Sequence, residues 1–263
     1  MCLILFAVDA HPELRLIIAA NRDEVFARPS APAGPWPGAE HVIGGRDLEK
    51  GGTWLALAQG RRLAAVTNYR DSARKKNGTR SRGLLVNDFV LSRETPGEFI
   101  ERLHRNAEVY DGFNLIVADS GEVWHYSNID RHGTRVAPGV HGVSNHLLDT
   151  PWPKVARGKA AMAAALSQPR EALIGSLFEA LREERRAADH ELPSTGIDQE
   201  WERVLSPAFI ATPAYGTRAS TVVLIEDSGS ASFIERSYDA GTDSAGAARS
   251  FQIPAHRASL PTL

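Results

Sequence analysis

One cysteine, Cys2, stands directly behind the initiator Met1. Methionine is commonly trimmed from ribosomal products when the second residue is small, and trimming here leaves a thiol and an α-amine on one residue. An α-amine titrates near pH ~7.7–8.0, so at neutral pH part of it is uncharged and can take a proton from the thiol. Nucleophile and general base then share a residue. Polar groups suited to such chemistry recur where apolar runs end: Asn21-Arg22-Asp23-Glu24 after Leu16–Ala20, Thr67-Asn68-Tyr69 after Leu63–Val66, and Ser144-Asn145-His146 after Val140–Val143. An asparagine amide can stabilise a developing oxyanion without titrating. Each fragment also has an ordinary reading, since asparagine ends strands through its turn geometry and cysteine is often a small buried hydrophobe. Arg218, ahead of the run Ser220–Ile225, is expected to pair with Asp23 or Glu24 or to grip a substrate carboxylate.

The elements must bring these groups together. Cys2–Val8 and Leu14–Asn21 are β-rich runs around the turn-forming Asp9-Ala10-His11-Pro12. An antiparallel hairpin sets the first residue of one strand opposite the last of the other, which carries Asn21–Glu24 to Cys2. Pro29, Pro32, Pro35 and Pro37 around Trp36 predict a surface excursion over 31–40 that walls a pocket. Gly44-Gly45 and Gly51-Gly52 read as turn punctuation, because they have neither dinucleotide-fold nor P-loop spacing. Further strands are expected at 53–58, 62–68, 113–119, 122–127, 136–143, 217–226 and 231–238. Helices are expected at 84–91, at 99–105 behind the capping box Thr95-Pro96-Gly97-Glu98, and after Thr150-Pro151 and Ser167–Pro169. Strands alternate with helices in blocks and hairpins dominate, which favours antiparallel sheets covered by helices over a parallel sheet. One domain is expected over 1–238, followed by a tail, 239–263, that runs along the surface or frays.

Composition narrows the function classes. Thirty basic against 32 acidic residues give a net charge of -2, so no global field attracts nucleic acid, and Arg74–Lys76 with Arg80–Arg82 reads as a solvated loop. A lone cysteine allows no internal disulfide or cysteine-built zinc site, which suits a reducing compartment. The opening apolar run stops at Asp9, far short of the ~18 residues a membrane span needs. The chain is therefore expected in the cytoplasm, without an integral membrane segment.

The ordered motifs Asn21–Glu24, Gly51-Gly52-Thr53-Trp54, Thr67–Tyr69, Ser144–His146 with Leu148–Val155, and Tyr215–Val222 resemble the NRDE family, also called the transport and Golgi organisation 2 family. The resemblance runs from Cys2 to about Glu235. More distantly the arrangement is similar to N-terminal nucleophile hydrolases of the cholylglycine hydrolase and penicillin V acylase branch. That branch implies an α+β fold, a four-layer αββα sandwich, which agrees with the element order. It implies Cys2 as nucleophile, Arg22 and Asp23 as orienters, Asn68 and Asn145 as oxyanion donors and Arg218 as support. Asn21, Glu24, Trp54 and His146 are the expected ligand contacts. The hydrolases space their arginine and aspartate differently from the contiguous Arg22-Asp23.

Two functions follow from this pattern. As an enzyme, the chain acts on an amide or thioester acyl substrate through Cys2 and requires no cofactor. As a carrier, it uses the same pocket for haem or an acyl-lipid or coenzyme A compound, since the family is associated with haem movement and with lipid and coenzyme A metabolism. Cys2, the nine histidines and Trp36, Trp54 and Trp152 are the groups that could meet a haem. A metal site at Asp23, Glu24 and Asp47 is disfavoured, because pairing with Arg22, Arg46 and Arg218 explains those carboxylates.

Overall fold

The computed structural model describes residues 2–74, 77–240, 246 and 248–255. Strands β1 (Cys2–Val8) and β2 (Leu14–Val25) form the expected hairpin, with Cys2 opposite Arg22. β2 continues past Asn21 because β11 (Tyr215–Glu226) pairs along its other side as far as Val25. β10 (Gly139–Val143) flanks β1, while β12 (Ala231–Ser237) and β13 (Arg249–Ile253) extend the sheet beyond β11. β13 thus lies inside the predicted tail, where Phe251 and Ile253 pack on the core, while 241–245, 247 and 256–263 of that tail lie outside the described residues.

The second sheet runs in sequence order: β3 (Ser30–Trp36), β4 (Ala39–Asp47), β5 (Leu55–Ala58), β6 (Arg62–Asn68), β7 (Phe113–Ala118), β8 (Val123–Ser127) and β9 (His132–Arg135). β3 replaces the predicted proline-rich excursion. A proline removes a ladder donor, and only an edge strand tolerates that. β3 is this edge, and its register breaks between Ala31 and Gly34 and between Pro35 and Trp36. Trp36 is consequently buried, its indole N–H donating to Gly44 O at 3.1 Å.

Helices α1 (Gly83–Leu91) and α2 (Pro96–His104) cover the second sheet, and α3 (Pro153–Leu166) and α4 (Arg170–Leu181) cover the first. The capping box at Thr95 forms as expected, with Glu98 returning the bond. A short α5 spans Gln199–Val204. Strand alternation sorts the core into three layers. Ile4, Phe6, Leu16 and Ile18 meet Leu57, Leu63 and Ile116 between the sheets, whereas Leu3, Leu5, Ile17 and Ala19 meet Met162, Leu173 and Phe178 beneath α3 and α4. Val42, Ala64 and Val117 pack under Phe89 and Phe99. Burying each Leu, Ile or Phe contributes about 1.5–3 kcal/mol, which is why both faces of both sheets are apolar. The result is the four-layer αββα sandwich. Among the described residues no helix is long and apolar enough to cross a membrane.

Candidate active site

Cys2 and Arg22 lie on the face of the first sheet that carries Ile4, Phe6, Ile18 and Ala20, at the end where the apolar rungs between the sheets stop. A cavity of about 370 Å³ opens there. Cys2, Arg22, Asp23 and Glu24 line it from the first sheet, Thr53, Trp54, Val66 and Asn68 from the second, and the segment 78–83 closes its outer side. Gly52 explains how that segment comes so near. At φ +81, a Cβ there would sit 2.5 Å from the Gly83 carbonyl carbon, so only glycine lets the start of α1 rest on this turn. Gly45 likewise leaves room for the Trp54 ring, which a Cβ would meet at 2.2 Å.

Cys2 keeps some exposed surface, yet protein crowds it closely and desolvation raises its thiol pKa. The resting form is therefore the thiol, and attack needs a base. The positive charge of Arg22 and a hydrogen bond from the Asp23 backbone favour the thiolate once it forms. Arg22 itself is 5% exposed, with its guanidinium carbon 4.4 Å from the Trp54 ring centre. Its Nη1 is buried and makes no hydrogen bond among the described residues.

Asp23 is buried, and its Oδ1 accepts from Thr217 Oγ1 at 2.7 Å. Burial raises its pKa, and the nearby Lys154 charge is the leading opposing influence. Lys154, 2% exposed, donates from Nζ to Leu205 O at 3.0 Å, and desolvation lowers its pKa to about 8. Beside it Arg70 and Glu202 form a buried ion pair at 3.1 Å, with Arg70 stacked 4.6 Å from the Trp152 ring centre.

The two asparagine motifs meet as cross-braces between the sheets. Thr67 Oγ1 donates to Ser144 O, Asn145 Nδ2 donates to Asn68 O at 2.9 Å, and Ser144 Oγ donates to Cys2 O at 3.0 Å. Asn68 lines the cavity, and its own side-chain amide makes no hydrogen bond among the described residues. Asn145 is wholly buried and is not on the cavity wall.

Other expected positions differ. Asn21 does not reach the cavity: the alternation of β2 turns it to the helix face, where it donates to Leu181 O and Ala208 O and accepts from Ser220. His146 packs between Tyr69 and Trp152 and bonds Thr150 Oγ1, off the cavity wall. Arg218 pairs with neither Asp23 nor Glu24. Its guanidinium instead gathers Val25 O, Arg28 O and Ser30 Oγ, tying down the β2–β3 connection. Glu24 does line the cavity, 3.8 Å from Arg28. Asp47 is held by Arg28 at 2.7 Å, while Arg46 stacks on Trp36. Among the described residues no cluster of His, Cys, Asp and Glu is arranged to hold a metal ion.

Sequence reasoning missed Lys154, Thr217 and Arg82. Lys154 had a signal, for it sits on the stripe Lys154-Gly158-Met162-Ala165 that α3 buries. Arg82 was read as part of a solvated basic loop, yet it lines the cavity and burial lowers its pKa.

Asp149 fixes the loop that carries Ser144 and Asn145. It adopts φ +57 and accepts from Gly142 N, Lys159 Nζ and His141 Nδ1. Burial opposes its ionisation, but the bonds from His141, Lys159 and Gly142 outweigh this and hold its pKa at about 2. Its stabilisation is therefore present above the ordinary carboxylate value and is lost as pH falls toward 2. The Asp149 bond raises the His141 pKa, so that contribution is full below the ordinary imidazole value and is lost as pH rises through the raised one. Asp149→Ala is expected to cost about 2–4 kcal/mol in urea unfolding, from the lost bonds and the strained φ. In Asp149→Asn, an NMR titration should find His141 back near its ordinary value; an unshifted His141 would contradict this account of the loop.

A model of the Transport and Golgi organisation 2 family matches residues 1–240. The Transport and Golgi organization protein 2 homolog of Bos taurus is 36% identical over 261 residues, covering 90% of this chain and 93% of that protein. The Homo sapiens homolog is 34% identical with the same coverage, and the Drosophila melanogaster protein 30%, covering 89% and 91%. Among solved structures, the mutant C2A conjugated bile acid hydrolase from Clostridium perfringens has a TM-score of 0.54 at 9% identity, covering 96% of this chain and 92% of that one. A Caenorhabditis elegans N-acylethanolamine-hydrolyzing acid amidase ortholog has a TM-score of 0.49 at 15% identity, covering 84% and 92%. The bile acid hydrolase likeness supports the sandwich fold. The match over residues 1–240, with relatives at 30–36% identity along nearly their whole length, shows that the chain belongs to the Transport and Golgi organisation 2 family.

Proposed function

We propose that the chain, once trimmed of Met1, is an N-terminal cysteine hydrolase of amide or thioester acyl compounds. One observation carries the reading: Cys2, Arg22, Asp23 and Asn68, drawn from both sheets, line a single cavity. The Cys2 α-amine takes the thiol proton as sulfur bonds to the acyl carbon. Asn68 holds the resulting oxyanion, with Asn145 bracing its backbone. The amine then returns the proton to the leaving nitrogen or sulfur as that bond breaks. Water, deprotonated by the same amine, cleaves the thioester and frees the acid and the thiol. Arg22 and Asp23 hold charge at the nucleophile, and Arg218 acts at a distance by fixing the connection behind them. Because the thiol requires a reducing environment, we place this action in the cytoplasm.

The carrier alternative has thinner support. Among the described residues no histidine lines the cavity, Trp36 and Trp152 lie off its wall, and of the groups expected to meet haem only Cys2 and Trp54 face it. A haem titration with no Soret change removes it. The hydrolase reading is tested by rapid mixing with chromogenic N-acyl amides and thioesters of graded length. A burst of leaving group equal to the enzyme concentration is expected, with the rate rising as the α-amine loses its proton near pH ~7.7–8.0. Product formation on none of the panel would sink it.

A further inference from the structure

The segment 78–83, which sequence reading leaves as a solvated basic loop, forms the outer wall of the Cys2 cavity. It ends in Gly83, the first residue of α1, a nine-residue helix whose start no side chain caps. Leu84 N and Leu85 N bond back to Ser81 O and Arg82 O, but the Gly83 amide makes no such bond among the described residues. A helix start carries partial positive charge, and here it is joined by the Arg82 guanidinium, half-buried on the same wall. Arg22 adds an independent sign of a missing partner. It is 5% exposed, lines the same cavity, and leaves Nη1 with no hydrogen bond among the described residues.

The carboxylates that line the cavity are engaged elsewhere. Asp47 binds Arg28, Glu24 accepts from Val25 N and faces Arg28, Asp111 accepts from Gly78 N, and Asp23 accepts from Thr217. Arg82, by contrast, gives Nη1 to the Gly112 carbonyl and forms no ion pair within 4.0 Å among the described residues. Its charge reaches Cys2, which with Asp111 opposes the effect of burial on its pKa.

We infer that Arg82, Arg22 and the start of α1 form an anion subsite, so that the compounds this cavity takes carry a carboxylate or phosphate within reach of the acyl carbon held at Cys2. The inference rests on the Cys2 cavity being the ligand site, but it requires neither turnover nor removal of Met1. At about 370 Å³ and with charged walls, the cavity selects a compact, polar, anion-bearing ligand over a long apolar chain lodged beside Cys2.

The lone cysteine makes the test direct, since alkylation of the purified protein reports a single position. Iodoacetate and iodoacetamide attack the same thiolate, each forming an S–C bond and releasing iodide, and they differ in charge. The ratio of their rates therefore cancels the thiol pKa. Relative to N-acetylcysteine, the iodoacetate-to-iodoacetamide ratio at Cys2 is expected to rise about tenfold or more, through the local field. Arg82→Gln should take back most of that rise, and inorganic phosphate or acetate should slow iodoacetate selectively in the unaltered protein. Stronger protection by phosphate assigns a phosphate ligand, and stronger protection by acetate a carboxylate. A ratio no higher than that of N-acetylcysteine, or a raised ratio that Arg82→Gln leaves unchanged, overturns the subsite. A hydrolase panel without turnover would remove the proposed activity and leave this ratio standing.

Discussion

Cys2→Ala is expected to lower acyl hydrolysis by about 10⁴-fold or more, to a residue supplied by binding and the oxyanion amide alone. The magnitude follows from what the substitution removes. The sulfur disappears, so no covalent intermediate forms, and the α-amine is left with no thiol to deprotonate. Structural damage should be small, because Cys2 occupies the end of β1, where it is only partly buried, and alanine keeps the backbone bonds to β2. The check is steady-state hydrolysis of whichever panel member gives a burst, alongside a thermal melt to show that the fold persists. A variant that melts normally and hydrolyses as fast as the parent shows that Cys2 is no nucleophile.

Glu202→Leu is expected to lose about 3–5 kcal/mol of stability, on the order of 10 °C in Tm. Glu202 and Arg70 are among the least exposed charges in the molecule, at 3% and 9%, and Glu202 also accepts from the Thr195 amide and hydroxyl. Removing the carboxylate takes away the anion paired with the Arg70 guanidinium in a low-dielectric setting. It also loosens the segment 195–205, which Lys154 grips through Leu205 O. Because Arg70 N donates to Asn145 O at 2.8 Å, the disturbance reaches the brace under Asn68. The combined Arg70→Met and Glu202→Leu change should cost less than Glu202→Leu alone, since apolar groups then fill the space without an uncompensated charge. Melts of the three proteins decide it, and a Glu202→Leu protein that melts within about 2 °C of the parent contradicts the buried-pair account.

The hairpin and its register were legible because they depend on local alternation: Ile4, Phe6, Leu16 and Ile18 repeat with period two on either side of an evident turn. The same alternation held the fate of Asn21, which shares parity with Ile17 and Ala19 and so turns to the helices. Motif reading grouped it with Arg22 and Asp23 and obscured that parity. β3 was illegible for another reason, since proline forbids a central strand and tolerates an edge, and which strand becomes an edge depends on the whole sheet order. Arg82 and the Arg70–Glu202 pair depend on long-range contact, and nothing in the residues around them distinguishes a pocket wall or a buried charge from a solvated loop. Arg218 was expected at a strand entrance, but β11 begins earlier and takes it in at the register break between Thr217 and Ala219, from where its length lets it reach the carbonyls of the β2–β3 connection, which hold it in place of the carboxylates.

In the proposed reaction Cys2, at the free amino terminus, takes the acyl group. The most direct measurement is the mass of the N-terminal peptide after brief reaction with a burst substrate and acid quench. The expected peptide begins at Cys2 and carries the acyl mass on its sulfur, released by hydroxylamine. A peptide that still begins at Met1, or an unmodified Cys2 during turnover, would contradict it.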